Sequence, residues 1–282
     1  MKTFIITSDD YGMCVEVNRA IDDCMAAGLV TSTNVIVNMD ALEAASTLRT
    51  RYPNVSVGIH WNVTSGKPIC GINDIPTLID EKGSFYNVKE FIKRYKKGLI
   101  RKDHIEKELY AQYEIFQKLC GKADYWNVHQ NSSLDFKTFP IFDTVAHNLG
   151  ISKTRSFKRI YLKEKGIKGG IVNKWIEAIK QLILTIWFDN IIPRGGTKVP
   201  DGRVMYFSDD AKIRDIRNIG DNIEWRHARI VELVIHPAIS GDSPYFGTIS
   251  ETRVDEWKMF SSAKTLSYIK SCGIEVSNFD CL

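Results

Sequence analysis

A chain of 282 residues, 44% hydrophobic and 26% charged, has enough apolar material to bury a large core, which excludes intrinsic disorder as the governing state. Its 38 basic and 34 acidic residues leave a net charge of +4 spread along the chain, so nothing points to a polyanion as partner. The length suits a single α/β barrel, which needs roughly 200 to 250 residues or more.

From the N-terminus onward, short apolar runs alternate with amphipathic stretches, the pattern of βαβ units around a largely parallel sheet. Residues 4–7 predict a first strand. Residues 15–27 predict a helix with Val15, Ala20, Ile21, Cys24 and Met25 facing inward. A strand over 34–37 precedes a helix over 41–50, and a strand over 55–59 leads into a Gly-, Pro- and Asn-rich loop, 65–84. Helices are expected over 88–97 and 102–120, strand-like runs at 125–128, 151–155, 203–207 and 230–235, then a helix over 253–271 and a strand near 273–276.

The stretch 156–201 is the least regular, broken by Gly166, Gly169, Gly170, Gly195 and Gly196, and reads as an inserted cap over a site or as a long connection. Its apolar part, 175–192, contains Glu177, Lys180 and Asp189, so a buried helix is expected there and not a membrane span. No linker or repeat divides the chain, and one domain over 1–282 is the expectation. The densest basic run, Lys93, Arg94, Lys96, Lys97, Arg101 and Lys102, reads as a solvated helical face and not as a nucleic-acid surface. The cysteines at 14, 24, 70, 120, 272 and 281 form no C-x-x-C pair and no disulfide framework. With two aspartates soon after Met1-Lys2-Thr3-Phe4-Ile5-Ile6-Thr7, no apolar signal core is present, and a cytoplasmic protein with reduced thiols, away from membranes, is expected.

Several runs end on residues suited to metal or proton chemistry. The first ends in Asp9-Asp10, the third in His60, the run at 125 in His129, and the run at 230 in His236-Pro237. Parallel strands of a barrel point their C-terminal ends at one face, so these residues would converge there. Each signal has an ordinary alternative. Asp9-Asp10 would also serve as a helix N-cap, a lone strand-end histidine is often structural, and His236-Pro237 would also simply end a strand. Together, one carboxylate and two imidazoles with open positions make a hydrolytic metal site, leaving a second Asp as base and a third His as acid.

The run Ile5-Ile6-Thr7-Ser8-Asp9-Asp10-Tyr11-Gly12 resembles the I-x-x-A-D-D-F-G opening of the YdjC-like carbohydrate deacetylases. The match continues through Asn18-Arg19-Ala20-Ile21, Gly28-Leu29-Val30-Thr31-Ser32-Thr33 and Val37-Asn38-Met39. Further on, Gly58-Ile59-His60-Trp61-Asn62-Val63-Thr64-Ser65-Gly66-Lys67-Pro68 and Glu232-Leu233-Val234-Ile235-His236-Pro237 carry it. The likeness is close over the first 70 residues and patchier beyond, in the same order throughout. It implies an irregular (β/α) barrel of TIM-like type and a metal-dependent hydrolase that removes an N-acetyl group from a sugar. The resemblance implies Asp10, His60 and His129 as ligands of one divalent ion (zinc or magnesium, with manganese and cobalt also open), Asp9 as base, and His236 as a protonated acid. Arg155 would hold substrate or orient Asp9, and an ordinary pairing to a carboxylate is the alternative.

The family's D-S-H-x-H-V-H run is here Asn127-Val128-His129-Gln130-Asn131-Ser132-Ser133, so the ligand is kept while Asn131 and Ser133 replace the later histidines. Those positions would shape the sugar subsite. Trp61, Trp126 and Tyr11 are candidates for stacking on a sugar face, with core packing as the alternative for Trp126. A sugar-binding or regulatory protein on the same scaffold, or a phosphoesterase, are the competing readings. The partner expected is an N-acetylated sugar; a homodimer is neither required nor excluded by the sequence.

Overall fold

The first strand runs further than its apolar residues alone require. In the computed structural model, β1 spans Lys2–Tyr11 and carries Asp9 and Asp10 within it, every residue but Lys2 being buried. The structure describes residues 1–132, 137–158, 196–205, 228–246 and 250–282, together with Ile179, Leu182, Ile183, Ile186 and Trp225.

The remaining strands are β2 (Ser32–Val35), β3 (Ser56–Trp61), β4 (Trp126–Val128), β5 (Gly202–Met205), β6 (Ile230–Ile235) and β7 (Ile274–Ser277). They form one sheet in the order β4-β3-β2-β1-β6-β5, and every pairing is parallel. Along one edge β1 pairs with β6 from Thr3 to Ser8; β7 (on Lys2 to Ile5) and β2 (from Thr7 on) also pair with it. Parallel bridges Trp126–Thr154 and Lys153–Lys198 then carry the circuit from β4 round toward β5. The result is the expected irregular β/α barrel, with all strand C-termini at one face.

Helices cover the outside: α1 (Val15–Ala26), α2 (Leu48–Arg51), α3 (Val88–Lys96), α4 (Lys102–Cys120), α5 (Phe139–Asn148), α6 (Ser250–Phe260) and α7 (Ala263–Ser271). In α1, Ala20, Ile21, Cys24 and Met25 face inward as expected, but Val15 is 54% exposed. It is the first helical residue, and Val17 takes the inward position. Over 41–50 a 3₁₀ turn (Leu42–Thr47) precedes the short α2, because only Ala45 and Leu48 find cover there. Residues 151–155 make bridges and not a full strand, since the three-residue β4 offers them little ladder. The helix expected over 253–271 breaks into α6 and α7 around Ser262, whose backbone is extended. The predicted elements held no counterpart of α5.

Most of 156–201 lies outside the described residues. Of the buried helix expected over 175–192, Ile179, Leu182, Ile183 and Ile186 are described; they are helical and each more than half exposed, and the other residues lie outside the described ones. Their spacing places these four apolar side chains on one face. Among the described residues, no helix is long and apolar enough to cross a membrane. The basic run is largely paired: Lys93 and Arg94 with Glu90, Arg101 with Asp103, and Lys102 with Glu106. All six cysteines are free thiols.

Two buried polar residues of α4 fix the loop that follows β3. Glu108 accepts from the backbone N–H groups of Ile69 and Cys70, each at 2.9 Å. Gln112 accepts from the N–H of Asn62 and donates to its carbonyl. A buried carboxylate is tolerable only when so satisfied, and the bonds hold the chain rigidly just beyond His60.

Candidate metal centre

At its C-terminal end β1 breaks register, between Ser8 and Tyr11, and Asp10 adopts a left-handed backbone (φ 74°). Side chains of a regular strand alternate between faces, so adjacent aspartates would point apart. The bulge re-aims Asp10, and aspartate is one of the few residues that accept this conformation at modest cost. Gly12 continues the turn at φ 99°, where an added Cβ would lie 2.7 Å from the carbonyl oxygen of Ile36. The N-cap of α1 is Cys14, with no side-chain cap, so the capping alternative for Asp9-Asp10 is removed.

Asp10 Oδ1 lies 3.3 Å from His60 Nε2 and 3.1 Å from His129 Nδ1, and those two nitrogens are 3.3 Å apart. All three residues are buried, and one ligand atom from each lies within 4.8 Å of the others. His60 faces Asn127 with its other nitrogen, Nδ1, against the amide oxygen. That acceptor assigns the ring proton to Nδ1 and turns the Nε2 lone pair toward Asp10 and His129. His129 ends β4 and is followed by two left-handed residues, Gln130 (φ 53°) and Asn131 (φ 52°), a strained turn of the kind found at functional sites. The donor set, one carboxylate oxygen and two imidazole nitrogens around a common space, fits a divalent ion with positions left open.

Asp9 lies beside this set and is gripped differently. Arg155 donates to both of its oxygens, at 2.7 and 2.6 Å, while Asn34 and Asn127 donate to Oδ1. The other side of Arg155 is pinned by Glu232, itself fully buried in β6. Burial alone would raise the carboxyl of Asp9, but the Arg155 charge and hydrogen bonds hold it well below the usual range. His236 Nε2 is 3.5 Å from Asp9 Oδ2, and burial pulls its imidazole down to about 4. Burial thus favours the neutral imidazole at rest.

The structure thus brings Asp9, Asp10, His60, His129, Arg155 and His236 together. It does not bring Tyr11 or Trp61 to them with a free ring face. Both are fully buried: the Tyr11 hydroxyl bonds Asp22 and Arg51, and Trp61 Nε1 donates to the carbonyl of Leu109 in α4. In β3, His60 faces the site, so alternation turns Trp61 to the helix side. Trp126 packs on Trp61, Phe139 and Phe142, the core role given as its alternative. Asn131 accepts from Arg203 and lines a small cavity with Trp126, Asn127 and Arg155; Ser133 lies outside the described residues.

Sequence reasoning missed Asn34, Asn127, Glu232, Arg253 and Glu256. Only Glu232 left a signal, as the one charge in the apolar run Ile230 to Ile235, where a buried carboxylate demands a partner. Arg253 donates to Asp10 Oδ2 at 2.8 Å, and Glu256 accepts from the backbone N–H of His236 at 2.6 Å.

The family model for YdjC-like protein matches residues 3–271. The chain belongs to the YdjC-like family. A carbohydrate deacetylase of Xenopus laevis is 32% identical over 129 residues, 45% of this chain and 42% of that protein. A carbohydrate deacetylase of Thermoanaerobacter pseudethanolicus is 23% identical over the whole of both chains. A chitooligosaccharide deacetylase of Serratia marcescens is 27% identical over 53% of this chain and 58% of its own. The YdjC-like chain matches about half the length of the first curated relatives it resembles. Its fold also matches, with a TM-score of 0.77 at 21% identity and 99% and 98% coverage, a crystal structure of an Enterococcus faecalis V583 protein named for cellobiose-phosphate cleavage.

Burial raises Glu256 from 4.5 to about 8, so the folded chain keeps a proton that the unfolded chain releases. Stability of the ion-free protein should therefore fall as pH rises from about 4.5 to 8, because the native state binds more protons there. Buried His236 has the opposite sign, adding stability as pH rises from about 4 to 6.5. Glu256→Gln should flatten the alkaline loss, which urea melts of chelator-treated protein across this range would show; an unchanged slope would contradict it.

Proposed function

We propose that the chain is a metal-dependent deacetylase of an N-acetylated sugar. The observation that carries this reading is the buried Asp10–His60–His129 donor set with Asp9, clamped by Arg155, and His236 beside it. The names of the relatives support it: carbohydrate deacetylases and a chitooligosaccharide deacetylase. A divalent ion bound there, zinc or magnesium in the first instance, supplies Lewis acidity toward water and the acetyl carbonyl.

The chain's own residues then move protons. Asp9 takes a proton from the attacking water, its orientation set by both Arg155 N–H contacts. His236, neutral at rest, must gain a proton before it can give one, and Asp9 is its neighbour at 3.5 Å. The proton collected by Asp9 passes to Nε2 of His236 and from there to the departing sugar amine. Acid–base assistance of this kind is worth about 10²- to 10⁴-fold in rate.

The test is acetate release from N-acetylated mono- and disaccharides with added Zn²⁺, Mg²⁺, Mn²⁺ or Co²⁺, with His129→Ala as control. Ion-dependent acetate that disappears in the control is the expected result. An ion bound with no acetate from any sugar would overturn the deacetylase reading and favour a sugar-binding protein.

A further inference from the structure

We propose that Arg253 is a positioning residue that restricts Asp10 to offering a single oxygen to the ion. The inference rests on the metal reading above. Arg253 comes from α6, 243 positions after Asp10 in sequence, and its side chain is 4% exposed. Its Nη2 donates to Asp10 Oδ2 at 2.8 Å, while Oδ1, the other oxygen, faces both imidazoles at 3.3 and 3.1 Å. The two oxygens of one carboxylate are thus divided between two tasks. A carboxylate free at both oxygens can chelate an ion and fill two positions; one turned at Oδ2 toward a guanidinium is directed to fill one. That leaves more of the coordination sphere for water and the substrate carbonyl, which hydrolysis requires.

Asp10 has particular need of such a hold, because its left-handed backbone follows a bulge and is not fixed by a regular ladder. Arg253 is itself well placed to be rigid. Its guanidinium lies 4.7 Å from the centroid of the Phe246 ring, its Nη1 reaches the carbonyl of His236 at 3.4 Å, and its own carbonyl accepts from Ala238 N at 3.2 Å. Glu256, three residues along α6, holds the N–H of His236. One helix therefore fixes both the Asp10 ligand and the turn that carries His236. The planar fork of arginine is what allows one side chain to reach Asp10 and His236 together; a lysine ammonium has no such geometry.

The test uses the full chain stripped of metal and titrated with Co²⁺ against a chelator, in the wild type, Arg253→Met, Arg253→Lys and the remote control Arg51→Met. Arg253→Met is expected to weaken Co²⁺ binding about 10- to 100-fold, the usual effect of losing a group that orients a ligand. It should also lower the intensity of the visible Co²⁺ bands, as Asp10 gains freedom to chelate and coordination rises. Arg253→Lys, which keeps the charge without the fork, should fall between the two and carries the test should Arg253→Met fail to fold. Arg51→Met should match the wild type. Unchanged affinity and spectrum in a folded Arg253 variant would overturn the inference while leaving the metal reading intact. A wild type that binds no Co²⁺ or other divalent ion would bring down both.

Discussion

Asp9→Asn is expected to lower turnover by about 10²- to 10⁴-fold while the ion remains bound. Asp9 is outside the Asp10–His60–His129 set, so its loss should leave ion affinity near that of the wild type. What it removes is an acceptor for the proton of water. The substitution also turns an amide NH₂ toward Arg155, which already donates to both Asp9 oxygens, so two donors would meet. Because Arg155 holds Asp9 well below the usual carboxylate range, the wild-type carboxylate is ionised at mildly acidic pH as well as at neutral pH. The fold-loss in the variant should therefore be the same at both. Acetate release measured beside Co²⁺ affinity separates the roles: near-full activity in Asp9→Asn would assign the base elsewhere, and lost binding would make Asp9 a ligand.

Arg155→Met should cost about 3–5 kcal/mol of stability, the range for removing one partner of a buried ion pair. Arg155 bridges two buried carboxylates, Asp9 and Glu232, and its Nε and Nη groups are almost wholly spent on them. A guanidinium has five N–H groups, and these bonds engage four, leaving one at Nη1. That pattern favours orienting Asp9 over gripping substrate, for which one N–H is left. For a chain of this size the loss corresponds to a fall in Tm on the order of 10 °C. Adding Glu232→Gln should recover part of it, since one of the two stranded charges is then gone; the two changes would be coupled in a double-mutant cycle. A single-variant cost below about 1 kcal/mol would show that water, and not Arg155, solvates this pair.

The sequence by itself determined where the chemistry would gather. Runs that end in Asp9-Asp10, His60, His129 and His236 belong to parallel strands, and parallel strands deliver their C-terminal ends to one face whatever their distance along the chain. Alternation in β3 also contained the position of Trp61, opposite His60, although proximity in sequence suggested a sugar contact. Only the tertiary structure decided the rest. The bulge at Asp10 changes the parity of β1, so it brings both aspartates to the site and sends Tyr11 to Asp22 and Arg51; nothing in the residue types announces a left-handed aspartate. Arg253 and Glu256 look like any charged pair on a helix until α6 packs across the strand ends. Periodicity reports which face of an element is apolar, whereas the partner of a buried charge is set by elements that meet from more than 200 residues away.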